Sequence, residues 1–205
     1  MEHGFALRID KTKMKICILS DSHDRSEPLA AAISAAYAAG AEAVIHCGDL
    51  IGANTLRASL KLELPIHVVQ GNNVGDTMAL HNLMEKSAGK LIYHGIDATL
   101  ELAGRRIFVT HYPHYGRGMA CTGEYDLICC GHSHSAEIVK QANIKGGHTT
   151  LVNPGTVAGI HAPGIDTPNT WILGDLANMS FEIHTLGMQQ TNPASSSKHR
   201  EILLA

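Results

Sequence analysis

The first half of the chain alternates short apolar runs with helical segments, and each apolar run stops at a polar residue. The first run, residues 16–19, is continuously apolar, which is typical of a strand buried on both faces. Residues 43–47 and 66–70 are further largely apolar runs, which contain His46 and His67, and they predict a second and a third strand. Because strands of this type separated by helices are typical of βαβ connections, the pattern predicts a parallel sheet.

The segments between these strands carry helix signals. Ser26 is the expected N-cap of a helix that ends at Gly40, because an acid and a proline follow Ser26 in the first turn. A short helical stretch is expected at residues 53–62. A further helix is expected at residues 78–88, where Gly89 ends it.

The second half of the chain has the pattern of a second sheet. Strands are predicted at residues 91–93, 98–102, 106–110, 125–130, 136–140 and 149–152. A hairpin turn is expected at residues 103–105, a loop at residues 112–118 and a turn at residues 153–156. Residues 171–173 and 180–184 predict a last hairpin that closes this second sheet.

The size and composition predict one globular domain. The chain has 205 residues, of which 44% are apolar and 17% charged, so it can bury one substantial core and is too apolar for a disordered chain. We expect residues 1–13 to be an N-terminal extension and residues 14–187 to form the single domain. Residues 188–205 are expected to be a C-terminal tail, in which only residues 202–204 are candidates for order.

Charge, hydropathy and cysteine content limit the partners and the location that we expect for the protein. A formal net charge of -3 gives no reason to expect broad nucleic-acid binding, and no apolar run approaches the ~18 residues of a membrane span. The five cysteines are an odd set without C-x-x-C spacing, so we expect free thiols and a cytoplasmic location. Assembly as a homo-oligomer is left open.

Polar side chains collect where the predicted strands end. Asp21 and His23 follow the first strand, and an Asp-x-His pair alone is equally compatible with a helix cap and a solvated histidine. The set at the strand ends is larger, however: Asp21, His23, Asp49, Asn72, His111, His132 and His134. These seven nitrogen and oxygen ligands are enough for two metal ions that share one carboxylate. The absence of cysteine from the set argues against a structural zinc site.

Five short motifs in a fixed order carry a family resemblance. They are Asp21-Ser22-His23, Gly48-Asp49, Gly71-Asn72, Thr110-His111 and Gly131-His132-Ser133-His134. In this order they resemble the calcineurin-like metallophosphoesterase superfamily, and the match spans residues 14–156. The small size and the Asn-Pro-Gly-Thr turn at residues 153–156 are similar to its compact bacterial and archaeal phosphodiesterase branch. The resemblance implies an α/β fold, a four-layer α/β/β/α sandwich of two mixed sheets.

The resemblance also implies a metal centre. The first metal would be held by Asp21, His23 and His134, the second by Asn72, His111 and His132, and Asp49 would bridge the two. Two divalent transition-metal ions are expected, with Mn²⁺ preferred and Zn²⁺, Fe²⁺ or Ni²⁺ as alternatives. Such a pair can lower the pKa of a bridging water, and the resulting hydroxide would attack phosphorus in line.

Two departures from the family pattern affect the remaining roles. Family members often carry His-Gly-His at the fourth motif, whereas this chain has His111-Tyr112-Pro113-His114. Protein phosphatases place a proton-donating His after the Gly-Asn pair, and Asn73 stands there instead. The leaving-group proton would then come from solvent or His114, or would not be needed. Asp21 and His114 are therefore the catalytic candidates, and Asn72 and Asn73 the candidates for substrate binding.

The leading functional prediction is a phosphodiesterase that hydrolyses small or nucleotide-like phosphate esters. Phosphomonoesterase or nucleotide pyrophosphatase chemistry on the same metals is an alternative, because the surrounding loops decide between these substrates. A binding or scaffold protein of the same fold, without turnover, is a second alternative. The completeness of the seven ligand positions favours an enzyme.

Overall fold

A computed structural model describes residues 13–160 and 167–187. The predicted extension, apart from its last residue, and the predicted tail lie outside the described residues, so their boundaries stay predictions. The described elements, in chain order, are β1 Lys15–Leu19, α1 Ser26–Ala38, β2 Ala41–His46, two 3-10 helices at Ala53–Leu56 and Ser59–Leu62, β3 Ile66–Val68, α2 Thr77–Lys86, β4 Leu91–Tyr93, β5 Asp97–Leu102, β6 Arg105–Thr110, α3 Pro113–Thr122, β7 Leu127–Cys129, β8 Ala136–Ala142, β9 His148–Pro154, β10 Thr170–Asp175 and β11 Ser180–Thr185.

Two mixed sheets stack face to face between outer helices. The first sheet has the strand order β11-β10-β1-β2-β3-β4, and its four strands β1 to β4 are parallel. The second has the order β5-β6-β7-β9-β8, with β6, β7 and β9 parallel. The four-layer α/β/β/α sandwich is therefore confirmed.

Packing on both faces explains why residues 16–19 of the first strand are continuously apolar. In β1, Cys17 and Leu19 face the layer of α1 and α2, while Ile16 and Ile18 pack into the core between the sheets. Alternate residues of a strand point to opposite faces, so a strand covered on both sides is apolar at every position. None of the described helices has the length and apolar content that a membrane crossing requires.

The last hairpin belongs to the first sheet, so its predicted place in the second sheet is wrong. β10 pairs antiparallel with β1, with Lys15 opposite Asp175 and Ile18 opposite Ile172. β1 pairs with β2 on its other side, which leaves one side of β1 available to this hairpin. The order of the strands along the chain does not reveal this pairing, because β10 follows strands of the second sheet in the chain but pairs with β1 of the first sheet.

The predicted loop at residues 112–118 is also wrong, because most of it is helix α3. Pro113 occupies the first turn, and Gly123, at a φ of +67°, ends the helix in the left-handed conformation. These are ordinary helix boundaries. The glycines inside the segment look like loop residues, but Gly116 lets α3 lie close to the sheet: a Cβ there would be 3.1 Å from Cγ2 of Ile128.

Helix α1 starts without the predicted serine cap. Arg25 is the N-cap, and no side chain caps the helix there. The preceding turn sets this start, because the backbone N–H of Arg25 donates to the carbonyl of Ser22 over 2.8 Å. The carboxylate of Asp24 instead accepts hydrogen bonds from the Gly52 backbone N–H and the Thr55 hydroxyl.

Candidate metal centre

The candidate ligands lie on loops that leave the carboxyl ends of β1, β2, β3, β6 and β7. Five of them have a positive φ, which is rare for residues other than glycine: Asp21 54°, His23 42°, Asp49 55°, His132 69° and His134 58°. Each such residue costs on the order of 1 kcal/mol or more, and such strain concentrates at functional sites. The backbone here is therefore held in place by the surrounding packing.

Each glycine of the Gly-Asp, Gly-Asn and Gly-His motifs makes room for a neighbouring loop. A Cβ on Gly71 would overlap the carboxylate of Asp49, and one on Gly131 would overlap the hydroxyl of Ser20. A Cβ on Gly48 would collide with the His111 ring. The motifs therefore need glycine because three loops cross the site at contact distance.

The first predicted ligand group is brought together. Nε2 of His134 lies 3.2 Å from Oδ1 of Asp21, and Nε2 of His23 lies 3.7 Å from the same oxygen. The two imidazole Nε2 atoms are 3.3 Å apart. One nitrogen or oxygen from each of these three residues could therefore reach a single cation.

The second predicted group adjoins the first. Oδ1 of Asn72 lies 2.9 Å from Nε2 of His111 and 2.7 Å from Nδ1 of His132. Asp49 reaches both groups, because its Oδ1 is 3.5 Å from Nε2 of His111 and its Oδ2 is 3.7 Å from Nε2 of His23. All seven residues predicted as ligands thus lie in one connected cluster.

The hydrogen bonds of two imidazoles show that the cluster fits cations. Nδ1 of His134 lies 3.2 Å from the Ile160 carbonyl, and Nδ1 of His111 lies 2.8 Å from the Cys47 carbonyl. A carbonyl oxygen can only accept, so each Nδ1 carries the proton. The Nε2 atoms, which face the carboxylates of Asp21 and Asp49, are then the ring nitrogens placed to bind a cation. Imidazoles that bind metals are commonly held this way, with the second ring nitrogen hydrogen-bonded to a carbonyl or carboxylate oxygen.

Asp21 carries a buried carboxylate oxygen with unused capacity. Its side chain is fully buried, and Oδ1 accepts no hydrogen bond from the part of the chain that the structure describes. Burial works to raise the pKa of Asp21. Contacts with His134, His23 and Ser20 outweigh burial and hold that pKa well below its usual range. The contact with Asp21 in turn raises the pKa of His134 against the opposing effect of burial. An ionised, buried oxygen of this kind is a good cation ligand.

His46 supports the site from inside the first sheet. Its Nδ1 accepts from the Gly48 backbone N–H over 3.3 Å, so its Nε2–H donates to Oγ of Ser22 over 3.0 Å. The ring is fully buried, and burial lowers the pKa of His46 to about 4. His46 therefore stays neutral and ties together the loops that carry Asp21 and Asp49.

Asn73 and the residues near position 153 hold ligands in place. The backbone N–H and the side-chain amide of Asn73 donate to the two oxygens of Asp49, over 2.8 and 2.6 Å. Thr156 donates its hydroxyl to the Asp21 carbonyl, and Asn153 donates to the Gly131 carbonyl. Sequence reasoning noted the Asn-Pro-Gly-Thr segment but did not assign it this role. A role of Asn73 in substrate binding stays a prediction.

His114 lies outside both ligand groups. Its side chain is exposed, and its ring packs against Tyr115 at 4.2 Å and Tyr112 at 5.6 Å between centroids. The extra residue in the His-Tyr-Pro-His motif places it in the first turn of α3. The geometry leaves it at the rim of the site.

Comparison with known proteins agrees with the fold. Residues 14–178 match the calcineurin-like phosphoesterase superfamily domain, and the chain belongs to this family. A phosphodiesterase from Methanocaldococcus jannaschii is 29% identical over 156 residues, which cover 75% of this chain and 90% of that protein. Together the family and this relative indicate a phosphoric ester hydrolase.

Two solved structures share the architecture. An archaeal phosphodiesterase superposes with a TM-score of 0.74 at 24% identity, over 84% of this chain and all of that one. Vps29 from Chaetomium thermophilum superposes with a TM-score of 0.58 at 13% identity, over 84% of this chain and 97% of that one. At these identities the two structures show the fold alone.

Proposed function

We propose that the protein is a phosphodiesterase with two divalent metal ions, which hydrolyses small or nucleotide-like phosphate esters. The observation that carries the proposal is the position of Asp49, whose two carboxylate oxygens face different imidazoles, those of His111 and His23. A carboxylate placed between two ligand groups is suited to bridging two cations. The phosphodiesterase from M. jannaschii supports the diester preference.

The charges of the site favour a phosphate ester. Asp21 and Asp49 contribute two negative charges, and the imidazoles and the Asn72 amide are neutral ligands. Two divalent cations would therefore leave a net positive site for an anionic phosphoryl group. When bound, such a pair supplies a water nucleophile at neutral pH and neutralises the phosphoryl oxygens. Mn²⁺ suits this mixture of imidazole and oxygen ligands, and Zn²⁺, Fe²⁺ and Ni²⁺ are alternatives.

The other residues of the chain orient these groups. His111 and His134 are held in the binding tautomer by the Cys47 and Ile160 carbonyls. Asn73 fixes both oxygens of Asp49. His114 is the candidate proton donor to the leaving group, and esters with good leaving groups would not need it. The cytoplasm remains the predicted location.

Metal analysis and two ester substrates test the proposal. We expect purified protein incubated with Mn²⁺ to retain two ions per chain and to release nitrophenol faster from bis(p-nitrophenyl) phosphate than from p-nitrophenyl phosphate. Faster release from the monoester would favour the phosphomonoesterase alternative. Two bound ions without hydrolysis of either ester would favour a scaffold, and a single ion per chain would refute the bridging role of Asp49.

A further inference from the structure

A cluster of aromatic rings lies at the start of helix α3. Tyr112, His114 and Tyr115 form this cluster, which we call the aromatic patch. The centroid of the Tyr115 ring lies 4.2 Å from that of His114 and 5.7 Å from that of Tyr112, to which it is edge-on. The three rings therefore make one continuous surface.

The aromatic patch adjoins the second ligand group. The Tyr112 ring contacts both His111 and His132, with a centroid distance of 5.2 Å in each case and edge-to-face geometry. Tyr112 is thus the wall between the two imidazoles and the outer rings. A substituent of a phosphate ester bound at the candidate metal centre would therefore need to extend past only one ring, that of Tyr112, to reach Tyr115.

The packing of α3 leaves the outer part of the patch open. Gly116 and Ala120 are the buried residues of the helix and face the second sheet. An ion pair of 2.8 Å between Arg117 and Glu137 holds the helix to β8. Tyr115 points away from that interface, with 58% of its surface exposed. A single exposed ring needs no explanation, but an exposed ring in a cluster beside a candidate site does.

We propose that the aromatic patch binds the nucleobase of a nucleotide-type substrate by stacking on Tyr115. The proposal rests on the function given above and adds the substrate class. Any base presents a π-face, so stacking on tyrosine is tolerant of base identity, and the ring loses little conformational entropy when a ligand covers it. The phosphate would occupy the cluster of ligands, and the ribose would lie against Tyr112.

Binding of two monophosphates to the protein incubated with Mn²⁺ tests the patch without relying on turnover. AMP and ribose 5-phosphate share the phosphate and the sugar and differ in the base. Isothermal titration calorimetry should give about tenfold tighter binding of AMP, in line with the usual contribution of one base–aromatic stack. Assay of free phosphate afterwards confirms that both ligands stay intact.

Variants at position 115 separate stacking from general support. Tyr115→Ala and Tyr115→Leu should bind AMP and ribose 5-phosphate equally, with the affinity for ribose 5-phosphate unchanged, whereas Tyr115→Phe should keep the preference for AMP. Tyr37→Ala removes an exposed tyrosine from α1, 51% exposed, and should change neither affinity.

Three results would overturn the proposed role of the aromatic patch. They are equal affinities for AMP and ribose 5-phosphate in the unaltered protein, an unchanged preference for AMP in Tyr115→Ala, and an equal loss of affinity for both ligands in Tyr115→Ala and Tyr115→Leu. The last result would give Tyr115 a structural role. Failure of the proposed function is a separate result, because a protein without diesterase activity could still show the base preference in this titration.

Discussion

Two sets of histidines in this protein have opposite surroundings. His111 and His134, at the ends of strands, each direct one ring nitrogen at a carboxylate. His46 and His67 lie inside strands of the first sheet and face neutral partners: Ser22 and Gly48 for the one, and His94, at 3.0 Å, for the other. The same side chain is therefore placed to bind a cation at the strand ends and serves internal packing within the strands.

The pKa shifts of His134, at a strand end, and of the internal histidines His46 and His67 have opposite directions. Contact with Asp21 raises the pKa of His134, whereas burial lowers the pKa of His46 to about 4. Burial, assisted by the His94 ring, likewise lowers the pKa of His67 to about 4. Direct contact with a carboxylate therefore raises the pKa of His134, whereas His46, whose hydrogen-bond partners are neutral, keeps the low pKa that burial produces despite the nearby Asp21 and Asp49.

Substitution of Asp49, the carboxylate that faces both ligand groups, should have a larger effect on activity and metal binding than substitution of a neutral histidine. Asp49→Asn should lower the turnover of bis(p-nitrophenyl) phosphate by at least about 10³-fold, because its single amide oxygen cannot neutralise two cations. It should also abolish the rise in melting temperature that Mn²⁺ causes in the unaltered protein, where saturating metal contributes about 2–3 kcal/mol. Steady-state kinetics and thermal unfolding with and without Mn²⁺ measure both effects.

Asp76→Asn is the matched control for this charge change. Asp76 caps α2 by accepting from the Ala79 backbone N–H over 2.9 Å, and asparagine caps helices equally well. Its activity should stay within about twofold of the unaltered protein. Near-normal turnover in Asp49→Asn would show that Asp49 does not bridge the metals.

Substitution of His46, the neutral histidine beneath the site, should have a smaller effect than Asp49→Asn. His46→Leu leaves the Ser22 hydroxyl and the Gly48 N–H without their partner, so we expect a loss of about 2 kcal/mol in the free energy of unfolding. Because His46 connects two ligand loops, Mn²⁺ affinity should fall about tenfold. Urea unfolding and metal titration give the two values.

A double-mutant cycle with Ser22→Ala checks the mechanism. If the hydrogen bond between His46 and Ser22 carries the effect, Ser22→Ala should cost less in the His46→Leu background than alone. Strict additivity of the two substitutions would contradict this account.

The smallest effect is expected in the pH dependence of stability. Burial lowers the pKa of His67 from its ordinary value of 6.5 to about 4 in the fold, so the unfolded chain binds the proton more readily. The contribution of His67 to the free energy of unfolding is therefore complete above pH 6.5 and is lost as the pH falls toward 4. Because the ring is partly solvated, we expect this loss to be about 1 kcal/mol. Urea unfolding between pH 7.5 and 5 should show a shallower dependence in His67→Gln, and identical slopes would refute the assignment.

Much of the first sheet and all seven candidate ligands could be predicted from local patterns. β1 to β3 are short, largely apolar runs followed by polar residues, which is typical of strands that are buried on both faces. The glycines beside Asp49, Asn72 and His132 mark the ends of β2, β3 and β7, and the structure shows that each prevents a collision with a neighbouring loop. These signals are local because they depend on one strand and the turn after it.

Two of the predictions that were wrong, the sheet of the last hairpin and the loop at residues 112–118, depended on distant partners. The sequence predicts a loop where helix α3 lies, because Gly116 has no local reason to be in a helix. Its reason is the close approach to Ile128 of the second sheet. Ser26 carries a cap signature, but the turn from Ser22 to Arg25 starts the helix one residue earlier. The role of Thr156, which holds the Asp21 carbonyl from 135 residues away, has no local signature either.

By itself the amino-acid sequence determined the strands, their polar ends and the types of ligand available, because hydrophobic periodicity and turn chemistry act over a few residues. Only the tertiary structure decided which sheet received the hairpin β10–β11, how the imidazoles were oriented by backbone carbonyls, and where Tyr115 faced. Those features arise from contacts between segments far apart in the chain, and such contacts form only when the two sheets pack together.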